Sequence, residues 1–504
     1  MKKNCNLDVA KKLNYNNFKI TCYMNVKIDK ISEISSFFVT KDQPCSILTR
    51  LYKVLDLGKH SKSVSKLKQQ GSSLSELLYG LLLLRICGLT VYAGSKKDYW
   101  NLLSCQGKDT FYRYLNNPTT SWRKLLYRTT LSFIRVCASQ KSDQSSSGPR
   151  CLIFDDTLLP KTGKKAEGIT KVYDHVVGKM RLGYKLLGMV YFDGTSSILS
   201  DFSLHHEPGK KKDGGLTRQE KKEQYKKSRP DKSYGQIRKK ELSMSKIESM
   251  KNMLCRAFKE KINVDYVLMD SWFTCYDLIS HVVSLWKKQV HVIGRCKIDL
   301  TKYEVHGKKR TAKELVLQYG RKTHYCRNTK SSYIRLKAKL NGMPVSLFLI
   351  HYRKHEQWTM ILTTDLSLRY RQAFELYQIR WNIEILWKDC KKYLELGKYQ
   401  GRDLDGQIAD CTIVFIIHQI LTLEKRFSSY ETIGEVFKGA EEEARILTLW
   451  ERILAIIYRM INDYSLLCNE GKEIQINQTI FASFIRKEIN LETHKNEIGE
   501  KISI

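Results

Sequence analysis

The chain has 504 residues, 42% of them hydrophobic, which is enough for a large core in about two to four domains and excludes a disordered chain. Its longest apolar run, Leu77–Leu84, stops at Arg85 and is too short to span a bilayer. Charge is the distinguishing property. Lys and Arg number 87 against 52 Asp and Glu, a net +35, and such an excess favours a polyanion, because neutralising each phosphate releases counterions. No lipidation motif or basic amphipathic anchor points to a membrane, so the expected partner is nucleic acid.

Residues 1–40 are polar and rich in Asn and Lys, with Met1 and Met24 both available as starts. The first twenty residues hold no apolar segment of the kind a secretion signal needs. Fourteen cysteines lie scattered without a CxxC pair, which suits reduced thiols and a cytoplasmic setting. From about 45 to 140 the pattern is helical, over Leu74–Tyr92, Tyr99–Leu103 and Trp122–Val136. Within it Gly107–Tyr127 reads as helix, a turn at Asn116-Asn117-Pro118, then helix. Such a unit is either a basic helix-turn-helix for a DNA groove or a helical hairpin packed in a bundle. The polar, Ser-rich Ser139–Pro149 marks a domain boundary.

The hydrophobic period then changes. Arg150–Phe154 is a buried strand running into Asp155-Asp156-Thr157, and Leu182–Tyr191 and Ile198–Phe202 follow about the turn Asp193-Gly194, an antiparallel meander. Gly209–Glu241 carries thirteen Lys and Arg against five Asp and Glu and reads as a solvated loop suited to phosphate. Ser243–Phe258 is an amphipathic helix. Tyr266–Met269 is a short strand ending at Asp270, with a helix from Thr274 to Lys287 and a strand over Gln289–Lys297. In such α/β units ligands gather at the carboxyl ends of strands. Residues 297–364 are basic and β-rich, with a hairpin Tyr333–Leu340, Asn341-Gly342, Val345–Tyr352 and a strand at Trp358–Thr364. Beyond Asp410 helices are expected over 411–427, 431–438 and 441–463, and the tail 469–504 is weakly patterned.

Tyr377–Lys391 (YQIRWNIEILWKDCK) is the stretch that organises the chain. On one helix Arg380, Glu384 and Lys391 fall within roughly 60° of Tyr377, flanked by apolar Ile379, Ile383, Leu386 and Trp387. Alone, the Arg380/Glu384 pair at i,i+4 is equally a salt-bridge ladder. Two strand-borne carboxylates, Asp156 and Asp270, alter its meaning. Three carboxylates brought together in a basic protein repel one another unless a cation lies between them, and hard oxygen ligands select Mg²⁺ or Mn²⁺. Two such ions activate a nucleophile and stabilise the leaving oxygen in phosphoryl transfer, while Tyr377, Arg380 and Lys391 hold phosphate. Asp155 competes with Asp156, because neighbours on a strand face opposite ways. Asp270 alone also fits a helix cap. His175 and the pair His205-His206 read as structural.

The spacing Y-(2)-R-(3)-E-(6)-K at Tyr377, Arg380, Glu384 and Lys391 resembles the signature of bacterial insertion-sequence DDE transposases of insertion-sequence family four. Asp156-Thr157 and the MDSWFT stretch at Asp270 are similar to that group's first and second acidic motifs. The resemblance spans roughly residues 70–440 and favours Asp156 over Asp155. It implies an α/β fold: an RNase H-like catalytic core (146–296 and 365–430) interrupted by a β-strand insertion (297–364). An N-terminal helical DNA-binding domain (1–145) and a C-terminal helical dimerisation region (431–504) would flank it. It implies catalysis and binding of two Mg²⁺ or Mn²⁺ ions by Asp156, Asp270 and Glu384, with Tyr377, Arg380 and Lys391 on DNA phosphates. Trp381 and Trp358 would stack a flipped base or else serve core packing. The implied activity is cut-and-paste transposition through a DNA hairpin by a nucleoid-associated homodimer on double-stranded transposon ends and target DNA. A relative that binds without cutting and a non-transposing nuclease are the alternatives.

Overall fold

The computed structural model describes residues 47–65, 72–96, 107–139, 148–174, 177–207, 214–352 and 357–445. Residues 1–40, Tyr99–Leu103, His175, most of Ser139–Pro149 and everything beyond 445 lie outside them.

Six helices open the described chain: α1 Ile47–Val54, α2 Leu57–Val64, α3 Leu74–Ile86, α4 Val91–Lys96, α5 Lys108–Leu115 and α6 Trp122–Ser139. Ser73 and Glu76 close a capping box that starts α3, satisfying two amides that a helix start otherwise leaves open. The Leu-rich run of α3 is buried, as expected of a helix apolar on every side. Helices α5 and α6 form about the anticipated Asn116–Pro118 turn as a packed hairpin, with Phe111, Tyr114, Leu115, Trp122 and Leu125 buried. Arg123, one of the cations available to a DNA groove, is instead drawn inward to Asp201 (2.9 Å) and Glu241 (2.8 Å).

Twelve strands among the described residues form one sheet. The meander is β1 Cys151–Pro160, β2 Thr170–Asp174, β3 Lys179–Phe192 and β4 Ser197–His205. Strand β1 is twice the length anticipated, because β3 pairs with it from Cys151↔Phe192 to Pro160↔Gly183. Asp155 and Asp156 therefore lie mid-strand and not at a strand end. Strand β2 is only five residues long, too short to carry much periodic signal. Strands β5 Tyr266–Met269 and β6 His291–Cys296 run parallel to β1, joined by α10 Tyr276–Leu285, which follows α7 Arg218–Lys222, α8 Tyr234–Glu241 and α9 Lys246–Lys259.

The β-rich segment extends this sheet. It comprises β7 Lys302–Val305, β8 Lys308–Thr311, α11 Ala312–Tyr319, β9 His324–Cys326, β10 Ser331–Leu340, β11 Met343–Tyr352 and β12 Thr359–Thr363. Strand β12 pairs antiparallel with β6, so the order continues β6-β12-β11-β10-β7-β8. The β10–β11 turn has Asn341 at φ 48° and Gly342 at φ 84°, the left-handed pair that a two-residue hairpin requires.

Gly209–Glu241 keeps Lys221, Lys222, Lys226, Lys232 and Lys240 exposed, as its charge suggests, but it is not loop throughout and part of its charge turns inward. Within its described part, the Arg229 side chain is fully buried and meets Glu167 (2.6 Å), Asp405 (2.9 Å) and Asp403 (3.2 Å). Lys227 reaches the same two aspartates. Cations so paired are structural, because removing one partner leaves a buried uncompensated charge.

The chain then runs through α12 Tyr370–Gln378, a 3₁₀ turn Ile379–Trp381, α13 Asn382–Lys392 and α14 Leu404–Phe427. Among the described residues α14 is the one helix long and apolar enough to cross a membrane, and its apolar window is wholly buried in protein. It is the core helix, with the Phe415 ring 5.2 Å from Phe202 and 6.1 Å from Trp387. Helix α13 packs on β1 and β4 through Ile383, Leu386, Trp387 and Cys390.

Candidate active site

Alternation along β1 divides its two aspartates. Ile153 pairs with Leu268, the last pair of the parallel ladder of β1 and β5, and Asp155 and Asp270 each stand two residues beyond it, near enough that the charge of Asp270 raises Asp155. On the other side Asp155 pairs with Gly188 of β3. A Cβ at Gly188 would lie 2.5 Å from the Trp387 ring, so this face is the one α13 covers. A side chain at 188 would lift that helix. Thr157, two residues on, accepts a hydrogen bond from Lys391 Nζ at 2.5 Å.

Asp156 faces the other way. Its carboxylate meets Lys246, at the start of α9, at 2.6 Å and Lys185 of β3 at 3.4 Å, and Lys246 also holds Glu207 at 2.8 Å. The structure therefore gathers Asp155, Asp270, Arg380, Glu384, Tyr377 and Lys391 about one face and pairs Asp156 with lysines on the reverse. An Asp-Thr doublet does not reveal which neighbour the helix covers; the registers on either side of β1 do. Lys185 and Lys246 had no sequence signal, since neither stands at a recognisable spacing.

The helix bearing Glu384 is not continuous. The 3₁₀ turn at Ile379–Trp381 tightens it at Arg380, yet the group stays together: Arg380 hydrogen-bonds Glu384, and its guanidinium carbon lies 5.9 Å from the Tyr377 ring centre. Asp270 Oδ1 accepts from the amides of Trp272 (2.9 Å) and Phe273 (3.2 Å), a turn closure rather than a helix cap, because Cys275 is the N-cap of α10. Trp381 is 59% exposed. Trp358 is half-buried, its ring 5.1 Å from His351. His205 is buried between Ser203 Oγ (2.7 Å) and the Met244 carbonyl (3.1 Å), a structural histidine.

Electrostatics separate the two aspartates further. Burial, with the charges of Asp156 and Asp270, pushes Asp155 up to about 7, against a lowering by Arg380. Burial also raises Asp270, opposed by its two backbone amides and Arg380 and aided by the charge of Asp156. Asp156 is buried too, but Lys246 and Lys185 outweigh that and hold it below the usual carboxylate value. Mutually repelling, partly desolvated carboxylates are the donor set a hard divalent cation relieves, and Asp155 and Asp270 fit one. Glu384 is engaged by Arg380, and among the described residues no three His, Cys, Asp or Glu side chains are arranged to hold an ion together.

Residues 103–353 match the family described as DDE superfamily endonuclease. No curated protein matches the chain. The matched segment includes both β1 aspartates and Asp270, and ends before Tyr377–Lys391. The match supports a DDE transposase-like family, with an α/β nuclease domain and metal-dependent endonuclease activity.

Proposed function

We propose that the chain is a DDE transposase of the insertion-sequence group with the Y-R-E-K signature. It binds the terminal inverted repeats of its element as a homodimer, in the bacterial cytoplasm at the nucleoid, and carries out cut-and-paste strand cleavage and transfer. The observation that carries this reading is Asp155, on the face covered by the Arg380–Glu384 helix, with Asp270 likewise two residues past the last pair of the β1–β5 ladder. The order β4-β3-β1-β5-β6, with β1, β5 and β6 parallel, supports an RNase H-like core, and β7–β12 occupy the place of the β-strand insertion.

Asp155, Asp270 and Glu384 would hold the Mg²⁺ or Mn²⁺ ions, two per site, with Asp155 in the place that the resemblance gives to Asp156. Bound there, the ions lower the pKa of water and neutralise charge on the leaving oxygen. Arg380 grips a non-bridging phosphate oxygen and Lys391, seated on Thr157, holds a neighbouring phosphate. Tyr377 orients the Arg380 guanidinium from behind. Water then attacks the scissile phosphorus and the P–O3′ bond breaks. The freed 3′-OH attacks a phosphorus of the opposite strand, displacing the 3′-oxygen of the flanking DNA and closing a hairpin; water reopens the hairpin at the new P–O3′ bond, and the regenerated 3′-OH attacks a target phosphorus, displacing the target's 3′-oxygen. Trp381, exposed beside Arg380, suits stacking of a flipped base; half-buried Trp358 suits it less.

The test is cleavage of DNA carrying the inverted repeats that flank the coding frame, with Mg²⁺ present. Asp270→Ala and Glu384→Ala should bind this DNA and release neither nicked nor hairpin product. Cutting at the wild-type rate by either variant refutes the site.

A further inference from the structure

Next to the turn that follows Asp270 lies a groove of about 600 Å³ whose lining includes Trp272, Tyr276, Lys297, Lys302, Lys309 and Lys339. Three parts of the fold build it: the turn after Asp270 with the start of α10, the end of β6, and the outer strands β7, β8 and β10. Trp272 is 64% exposed, and Lys297 Nζ lies 3.4 Å from the centre of its ring, a cation–π contact that holds the indole. All four lysines are exposed. Two acids, Asp299 and Glu304, share the lining. Glu304 meets Lys339 at 3.5 Å, an exposed contact of little strength, so the groove keeps a net positive charge.

Ammonium groups spaced along strand edges track a phosphodiester backbone, and an aromatic plane among them offers a stacking surface to any base. A base inside a duplex is already stacked on both faces, so an indole selects an unpaired one. Trp272 stands two residues from Asp270, whose carboxylate anchors the Trp272 amide at 2.9 Å, and Cys296 and Leu362 of the lining put the groove on the sheet face opposite Asp155. We propose that this groove holds an unpaired DNA strand, with a base on Trp272 and phosphates on Lys297, Lys302, Lys309 and Lys339. The proposal deepens the nucleic-acid reading above and names the form of DNA that this groove takes.

The experiment uses the full-length protein in EDTA, where cleavage plays no part, so loss of the cleavage reading leaves the readout intact. A single-stranded oligothymidylate carrying one 2-aminopurine is titrated, with the matching duplex and inorganic polyphosphate alongside. Single strand should quench the 2-aminopurine fluorescence. Trp272→Ala should weaken its binding about tenfold and abolish the quenching, while Trp272→Phe retains most of both. Polyphosphate binding should not respond to Trp272→Ala, whereas Lys302→Glu with Lys339→Glu should weaken both ligands. Unchanged single-strand binding and quenching in Trp272→Ala overturns the proposal and leaves an anion patch. So does a duplex whose binding depends equally on Trp272.

Discussion

The two faces of β1 carry adjacent aspartates with opposite surroundings. On one, Asp155 is pressed beside Asp270 under the Glu384 helix, and burial with like charge drives its carboxyl up to about 7. On the other, Asp156 sits between Lys246 and Lys185 at 2.6 and 3.4 Å and is held low. One face stores electrostatic strain and the other has relieved it. Raised carboxylates near Arg380 and Lys391 suit the cation that the proposed function requires, whereas a carboxylate paired with two lysines suits a structural joint.

Substitutions on the two faces should therefore move activity and stability in opposite senses. Glu384→Ala should lower metal-dependent cleavage roughly a thousandfold or more, because several kcal/mol of charge stabilisation is lost. Its i,i+4 pair with Arg380 is worth only about 0.3–0.5 kcal/mol, so thermal melting should barely change. Reduced stability with intact cleavage would instead leave the pair as a ladder.

Asp155→Asn should stabilise the metal-free protein by about 2–4 kcal/mol at pH 8. The sign follows from a folded pKa of about 7 against an ordinary 3.8. Its favourable contribution is complete below 3.8 and is lost progressively as pH rises to 7, so the gain on removing the charge grows between pH 3.8 and 7, levels off above 7 and vanishes in acid. Denaturant melts across pH 4–8 would check this.

Asp156→Asn should cost about 1–3 kcal/mol at neutral pH, since Lys185, almost fully buried, loses its counter-charge. Here the folded pKa lies below 3.8. The stabilisation is present above that value and lost as pH falls through the folded pKa, so the penalty should fade in acid, in the same melts. Smallest of all, Lys391→Gln should weaken DNA binding several-fold and reduce the salt dependence of log K by about one phosphate's worth, read by anisotropy at several salt concentrations.

Much of this frame is legible in local pattern. Tyr266–Met269 is bounded by its apolar residues, and the β10–β11 hairpin is announced by Asn341-Gly342. The docking side of α13 follows from Ile383, Leu386 and Trp387. What escapes local pattern depends on distant partners. The length of β1 comes from β3, and the burial of Arg229 from Glu167, Asp403 and Asp405. The choice between Asp155 and Asp156 belongs to the same class, since it rests on Gly188 allowing Trp387 close approach.

The most direct test compares Asp155→Asn and Asp156→Asn in Mg²⁺-dependent cleavage of the terminal-repeat DNA, at a temperature where melts show both variants folded. Loss of cleavage in Asp155→Asn, with substantial activity kept by Asp156→Asn, is the expected result. Cleavage retained by Asp155→Asn and abolished in folded Asp156→Asn would contradict the assignment of the chemistry to the face under Glu384.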